Sequence, residues 1–314
     1  MAKMTAEQKR AYGKQKGDEM QERWFDAIAD AIADERIPWR KPWKGGTFRF
    51  PTNLRSKKTY RGGNLVSLLC SAVEHGFTDL RFATRKQLIE AGYSIKGLKN
   101  GSGFPIRYVK QGSYEKENDD GEMELRSSWL VRFYEVWCVE QCEGYEAPAV
   151  KDTGATPTHE MMAHFDTYVK SQPSLTLQRG GDRAFYRLSQ DLIQLPVHAA
   201  FTDSLGEVMT AFHEAGHSTG HPNRVERPLG NGFGSAAYAF EELVAEFSAM
   251  LTVVSLGGDY DPSLVMEENA NSVAYLQSWL KACDNRDKDL TAAFAKAQEA
   301  SDFILDNING GEEE

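Results

Sequence analysis

Leu205-Gly206-Glu207-Val208-Met209-Thr210-Ala211-Phe212-His213-Glu214-Ala215-Gly216-His217 is the stretch whose reading decides the fold of the C-terminal half. Leu205, Val208, Met209 and Phe212 recur at helical spacing, so Asp203 to Ser218 reads as one amphipathic helix. His213 and His217, four residues apart at its end, share a face, and both imidazoles can reach one zinc ion. Glu214, one step round, faces the water that such an ion activates. A carboxylate there can take the proton as water attacks a polarised peptide carbonyl. The pattern is HExxH, and its placement on a helix is the context the chemistry requires.

A catalytic zinc needs a third protein ligand. His221 continues the spacing, but Gly220 and Pro222 bracket it and should end the helix before it. Glu242 is the stronger candidate, on a following helix read over Ala236 to Ser255, and its neighbour Glu241 is a further alternative. In zinc peptidases of the thermolysin kind the second helix supplies a ligand Glu and, one turn later, an acid that orients a ligand histidine. Glu242 and Glu246 have that spacing, and Phe240, Leu243, Val244, Phe247 and Met250 predict that their helix is mostly buried. The longer pattern HExxHxxGxxH fails at its last position, where Asn223 stands, which argues against a metzincin.

Outward from the metal motif, charge divides the chain. Residues 1–112 hold 22 Lys/Arg against 11 Asp/Glu, net +11, and the remainder holds 14 against 35, net −21. A polyanion-binding front joined to a domain that does not touch nucleic acid is the expectation. Between Arg36 and Arg61 lie Arg36, Arg40, Lys41, Lys44, Arg49, Arg55, Lys57, Lys58 and Arg61 with no acid among them, interleaved with Trp39, Trp43, Phe48, Phe50 and Tyr60. Cations match phosphates and flat side chains stack on unpaired bases, so the mixture suits a single strand without base-specific readout.

The remaining pattern sets the organisation. A basic, flexible tail (1–19) precedes an amphipathic helix from about Met20 to Asp34, stopped by Pro38; helices follow at Asn64 to Glu74 and Thr84 to Ala91. Phe104 to Lys110 and Trp129 to Val139 read as strands, with the acidic Glu115 to Glu124 as a long hairpin loop. These make a first domain at 20–143. Residues 144–158 have linker composition, and a mainly helical domain occupies 159–309 before an acidic tail, 310–314. Its helices read at His159 to Ser171, Asp203 to Ser218, Ala236 to Ser255, Glu268 to Cys283 and Leu290 to Leu305, with short strands between Ala184 and Pro196. Cys70, Cys138, Cys142 and Cys283 are scattered with no CxxC pair, so neither a disulfide framework nor a cysteine zinc ribbon is expected, and Cys138 and Cys142 read as packing residues. With no run of 18 apolar residues and no apolar N-terminal core, neither a membrane span nor export is indicated, and a cytoplasmic location is expected.

The chain resembles the ArdC-type antirestriction family, whose N-terminal domain is shared with TraC-type plasmid primases. The resemblance rests on Ile37-Pro38-Trp39-Arg40-Lys41-Pro42-Trp43, Thr59-Tyr60-Arg61-Gly62-Gly63-Asn64, Phe133-Tyr134-Glu135-Val136-Trp137, Ala184-Phe185-Tyr186, Asp191-Leu192-Ile193-Gln194-Leu195-Pro196, the HExxH segment and Tyr238-Ala239-Phe240-Glu241-Glu242-Leu243-Val244-Ala245-Glu246. Gly63, where the family commonly has a larger aliphatic residue, and a longer acidic insert before Trp129 depart from it. The resemblance implies an α+β chain: a small α+β domain binding single-stranded DNA non-specifically, then a mainly helical zincin-like metallopeptidase domain with one zinc. It implies a role in protecting incoming plasmid or phage DNA from restriction; the intact HExxH with a candidate third ligand adds the expectation of a host protein substrate such as a restriction component. A purely DNA-coating protein with a structural metal domain is the alternative.

Overall fold

A computed structural model gives the architecture and describes residues 5–33, 50–99, 101–117, 123–147, 156–229, 235–258 and 286–310. Mixed helices and sheets make it an α+β chain. It divides into two compact units, one of Met1–Ile28, Pro51–Thr59 and Asp79–Ala147, the other of Ala29–Phe50, Tyr60–Thr78 and Pro148–Glu314.

Helix α1 (Ala6–Ala33) starts well ahead of the expected Met20. Thr5 and Gln8 exchange hydrogen bonds, the Thr5 N–H donating to Gln8 Oε1 (2.9 Å) and the Gln8 N–H to Thr5 Oγ1 (3.2 Å). That reciprocal cap and a run of straight-chain residues carry the helix through a segment with no apolar period, which is why residues 6–19 read as a tail. Periodicity locates only its buried face, Trp24, Phe25 and Ile28.

The first unit is built on a four-stranded sheet of β1 (Thr52–Asn53), β2 (Arg81–Ala83), β3 (Phe104–Glu117) and β4 (Met123–Cys138), in the order β1-β2-β4-β3. Thr84 caps helix α3 (Arg85–Glu90) in a reciprocal box with Gln87. Phe82, Leu88, Phe104, Val136, Cys138 and Val139 form the core. The Trp137 indole lies directly on Gly103, where any Cβ would come within 2.7 Å of the ring, and the Arg85 guanidinium stacks on it at 4.7 Å.

At the ends of the expected hairpin loop, Glu115 to Glu117 and Met123 to Glu124 are strand, and residues 118–122 lie outside the described residues. β3 runs to Glu117 and β4 begins at Met123 in unbroken antiparallel register. A ribbon wet on both faces imposes no apolar alternation, so polar composition there does not signal a loop.

The second unit packs helices α2 (Gly62–His75), α4 (Thr158–Ser171), α5 (Ser204–Ser218), α6 (Ala236–Ser255) and α7 (Arg286–Asn309) with a sheet of β5 (Thr176–Arg179), β6 (Phe185–Arg187) and β7 (Leu192–Leu195). The order β5-β7-β6 leaves β6 an edge strand, antiparallel to β7. Phe165 meets Phe212 edge-on at 5.9 Å and Phe247 meets Phe294 at 4.7 Å, so large rings join α4 to α5 and α6 to α7. The helix expected at Glu268 to Cys283 lies outside the described residues, as does Cys283. Cys70, Cys138 and Cys142 are buried free thiols.

Asp191, at φ 44° just before β7, anchors this sheet to the segment after α5. Its carboxylate accepts hydrogen bonds from Ser174 (2.6 Å), Tyr186 (2.8 Å) and the buried Arg224 guanidinium, whose Nε also donates to the Ser218 carbonyl (2.6 Å). Burial pulls the carboxyl up, yet these donors outweigh it and hold it below the usual carboxylate range. Its stabilisation is therefore complete above the unfolded pKa and is lost as pH falls through the folded one. We expect Asp191→Asn, which strands a buried Arg224, to cost about 3 kcal/mol at neutral pH. The gap from the native chain should narrow below about pH 4 in denaturant titrations.

Candidate metal centre

Asp203 caps α5 by accepting the Leu205 N–H at 2.6 Å, and Ser235 caps α6 by accepting the Tyr238 N–H at 3.1 Å. The two helices cross tightly because position 216 is glycine. A Cβ there would lie 2.3 Å from Ser248 Oγ and 3.1 Å from the Ala245 backbone. This close approach brings the end of α5 against the first turns of α6, and with it two imidazoles against three carboxylates.

Each histidine is fixed through one nitrogen and presents the other. His213 Nδ1 lies 3.1 Å from Glu246 Oε2, and His217 Nδ1 lies 3.3 Å from Glu241 Oε1. On the opposite ring edges, both Nε2 atoms stand 3.5 Å from oxygens of the Glu242 carboxylate. Ligand atoms of His213, His217 and Glu242 all fall within 4.8 Å of one another. Two nitrogens and one oxygen converging while the far ring nitrogens are held by acids is a donor set that suits zinc or a similar divalent ion.

The local electrostatics point the same way. Burial would lower His213, but Glu242 and Glu246 hold its pKa well above the imidazole range, and Glu242 with Glu241 raises His217 against burial. Glu242, partly buried, is drawn down to about 2 by His217 and His213 against the effect of burial. A pocket that stabilises positive charge so strongly between two imidazoles also favours a divalent cation. Glu214 is pushed up by burial, partly offset by His217, His213 and the nearby main chain of Tyr186 on edge strand β6.

His221 is not in this group. α5 ends at Ser218, and His221 Nδ1 instead accepts the Asn223 N–H at 3.2 Å. Glu241 turns to His217 Nδ1, and behind it lies a residue that sequence reading passed over. Arg227, buried, donates to both Glu241 oxygens (2.9 and 2.6 Å), to Thr219 Oγ1 (2.6 Å) and to the Gly216 carbonyl (2.8 Å). The available signal was chemical: an Arg in the loop joining two helices rich in buried acids has the planar fork to pair with one of them. Arg227→Met should cost about 3 kcal/mol by taking the guanidinium away from the buried Glu241 carboxylate. By loosening His217 it should also weaken metal binding about 10- to 100-fold in chelator competition.

The centre opens into a cleft of about 1010 Å³ lined on one side by Ala184, Phe185, Tyr186 and Arg187 of the β6 segment and on the other by Tyr238, Glu241 and Glu242. An edge strand along such a cleft can pair with an extended chain.

Of the residues expected to contact nucleic acid, Arg36, Trp39, Arg40, Lys41, Trp43, Lys44 and Arg49 lie outside the described residues. In the first unit Lys57 and Lys58 are exposed and Arg55 pairs with Glu90 at 3.1 Å. In the second, Tyr60 is half-buried and Arg61 pairs with Asp302.

Comparison with known proteins bears on both units. Residues 18–137 match the N-terminal domain of anti-restriction factor ArdC, and residues 163–297 match the zincin-like metallopeptidase family. The crystal structure of the antirestriction protein ArdC from plasmid R388 superposes with a TM-score of 0.67 in its metal-free form and 0.68 in its Mn(II)-bound form, at 29% identity. The metal-free match covers 91% of this chain and 97% of that one. The chain has an ArdC-type architecture.

Related ArdC-type sequence also occurs within longer proteins. Two Escherichia coli DNA primases TraC are each 32% identical over 81% of this chain, which spans only 17% and 24% of their lengths. The uncharacterized protein y4eC of Sinorhizobium fredii is 29% identical, over 83% of this chain and 82% of its own. The Mn(II)-bound relative and the zincin-like match agree with a divalent metal in the ArdC-type second unit. No described helix is long and apolar enough to cross a membrane.

Proposed function

We propose that this chain is an antirestriction protein of a mobile element that binds single-stranded DNA non-specifically and carries a zinc peptidase in its second unit, acting in the cytoplasm. One zinc per chain is held by His213 Nε2, His217 Nε2 and Glu242, with Glu246 and Glu241 fixing the two rings. The observation that carries the peptidase reading is the convergence of those three donors beside a buried, raised Glu214 in a cleft edged by a strand.

Zinc in such a site supplies Lewis-acid polarisation of the substrate carbonyl and lowers the pKa of water to near neutrality. The chain's own groups do the rest. Glu214, its carboxyl raised by burial, accepts a proton from attacking water and returns it to the departing amine. The β6 edge offers main-chain pairing to an extended substrate, a host protein such as a restriction component. The single-stranded-DNA role is supported by the match of residues 18–137 to the ArdC N-terminal domain and by the basic, acid-free segment from Arg36 to Arg61.

The test is protection of incoming single-stranded DNA from a restriction endonuclease by the native chain and by Glu214→Gln, with metal content checked in both. Loss of protection in the variant with zinc and DNA binding retained supports a DNA-tethered peptidase. Equal protection means that coating the strand suffices, and the proteolytic part of the proposal then has no role in the defence.

A further inference from the structure

We infer that one face of the β3–β4 ribbon, carrying Tyr108, Lys110, Tyr114, Leu130, Arg132 and Tyr134, is a platform for single-stranded nucleic acid. The inference rests on reading the first unit as a single-strand binder, and it names a surface separate from the basic segment 36–61.

The ribbon is unusual in its length and its exposure. β2 pairs with β4 only at Cys138 and Trp137, whereas β3 and β4 pair with each other from Phe104↔Val136 out to Glu117↔Met123. Beyond its root the ribbon has no third strand among the described residues. Two strands alone are marginally stable in water, so large side chains left exposed along such a ribbon call for an explanation. Tyr108 is 47% exposed, Tyr114 48%, Tyr134 41% and Leu130 45%.

The register sorts these residues. Ile106↔Tyr134, Tyr108↔Arg132, Lys110↔Leu130 and Gly112↔Ser128 are directly opposite pairs at alternate positions, so their side chains share one face with Tyr114. Between Ile106 and Tyr114 and between Ser128 and Tyr134 neither face carries an Asp or Glu, and the proposed face sets Lys110 and Arg132 among its exposed rings. Tyr108 and Tyr134 are already neighbours, ring centroids 6.0 Å apart and nearly perpendicular. Gly112 opposite Ser128 leaves a low saddle between the Lys110–Leu130 pair and Tyr114.

Exposed flat rings alternating with cations, and no anion between them, match a chain of bases on a phosphate backbone. An apolar partner protein would make no use of Lys110 and Arg132. A duplex, its bases already stacked, would make little use of the rings.

The test is fluorescence anisotropy of labelled oligothymidylate with the full chain across a salt series, together with photocrosslinking of a bromouridine-substituted strand to the native chain. Tyr108→Ala/Tyr134→Ala should weaken binding about tenfold or more. Lys110→Glu/Arg132→Glu should lower the salt slope by about 1.4. Gln111→Glu/Ser113→Glu, on the opposite face, should leave both unchanged, and crosslinks should map to Tyr108, Tyr114 or Tyr134. If the native chain binds but the ribbon variants bind equally and crosslinks fall only elsewhere, the platform is refuted and the single-strand reading stands. If the native chain does not bind the strand, both fall. The crosslink map needs no variant, so a misfolded substitution does not blur the outcome.

Discussion

Glu214→Gln should lower cleavage of a pool of fluorescence-quenched peptides by about 10²- to 10⁴-fold while zinc content and single-strand affinity stay at native values. Glutamine keeps the size of the side chain, so the α5 end should keep its shape. What it loses is the ability to take a proton. Neither imidazole can substitute, because His213 and His217 are committed through Nδ1 to Glu246 and Glu241 and face Glu242 through Nε2. Undiminished cleavage in the variant would remove Glu214 from the mechanism, and a parallel loss of zinc would mean that the residue supports the metal instead.

The second large effect concerns the donors themselves. His213→Ala and Glu242→Ala should each abolish stoichiometric zinc, with a loss beyond the roughly 10- to 100-fold expected for the outer partner variant Glu246→Gln. His221→Ala should bind zinc as the native chain does, since its Nδ1 serves the Asn223 N–H after the helix has ended. The ordering matters more than any single value. Equal losses from Glu242 and Glu246 variants would mean that neither is a direct ligand, and a large loss from His221→Ala would redraw the site.

Much of this centre was legible in the residues because helical spacing is a strong constraint. Val208, Met209 and Phe212 predict the buried stripe of α5, and the face they define puts His213 and His217 together. The Glu242–Glu246 spacing on α6 likewise anticipates one carboxylate between the Nε2 atoms and one behind His213.

What stayed hidden depends on tertiary approach. The role of Gly216 shows only in the crossing of α6, where its missing Cβ admits Ala245 and Ser248. The Glu242–Glu246 spacing favours Glu242 as the ligand but gives the adjacent Glu241 no role of its own. The division of labour between Glu241 and Glu242 follows from the helix crossing and from Arg227 in the intervening loop. The Asp191 anchor draws on Ser174, Tyr186 and Arg224, residues too far apart in the chain for local pattern to join. In the first unit, periodicity found the buried end of α1 but missed its polar start, and composition mistook the tips of β3 and β4 for a loop.

The claim on which the rest depends is that two imidazole nitrogens and one carboxylate hold a zinc ion. X-ray absorption at the zinc edge of the purified chain tests it most directly. The account predicts one zinc per chain with two imidazole nitrogens at about 2.0–2.1 Å and oxygen in the remaining positions. Sulfur scattering near 2.3 Å, or a single imidazole, would contradict it.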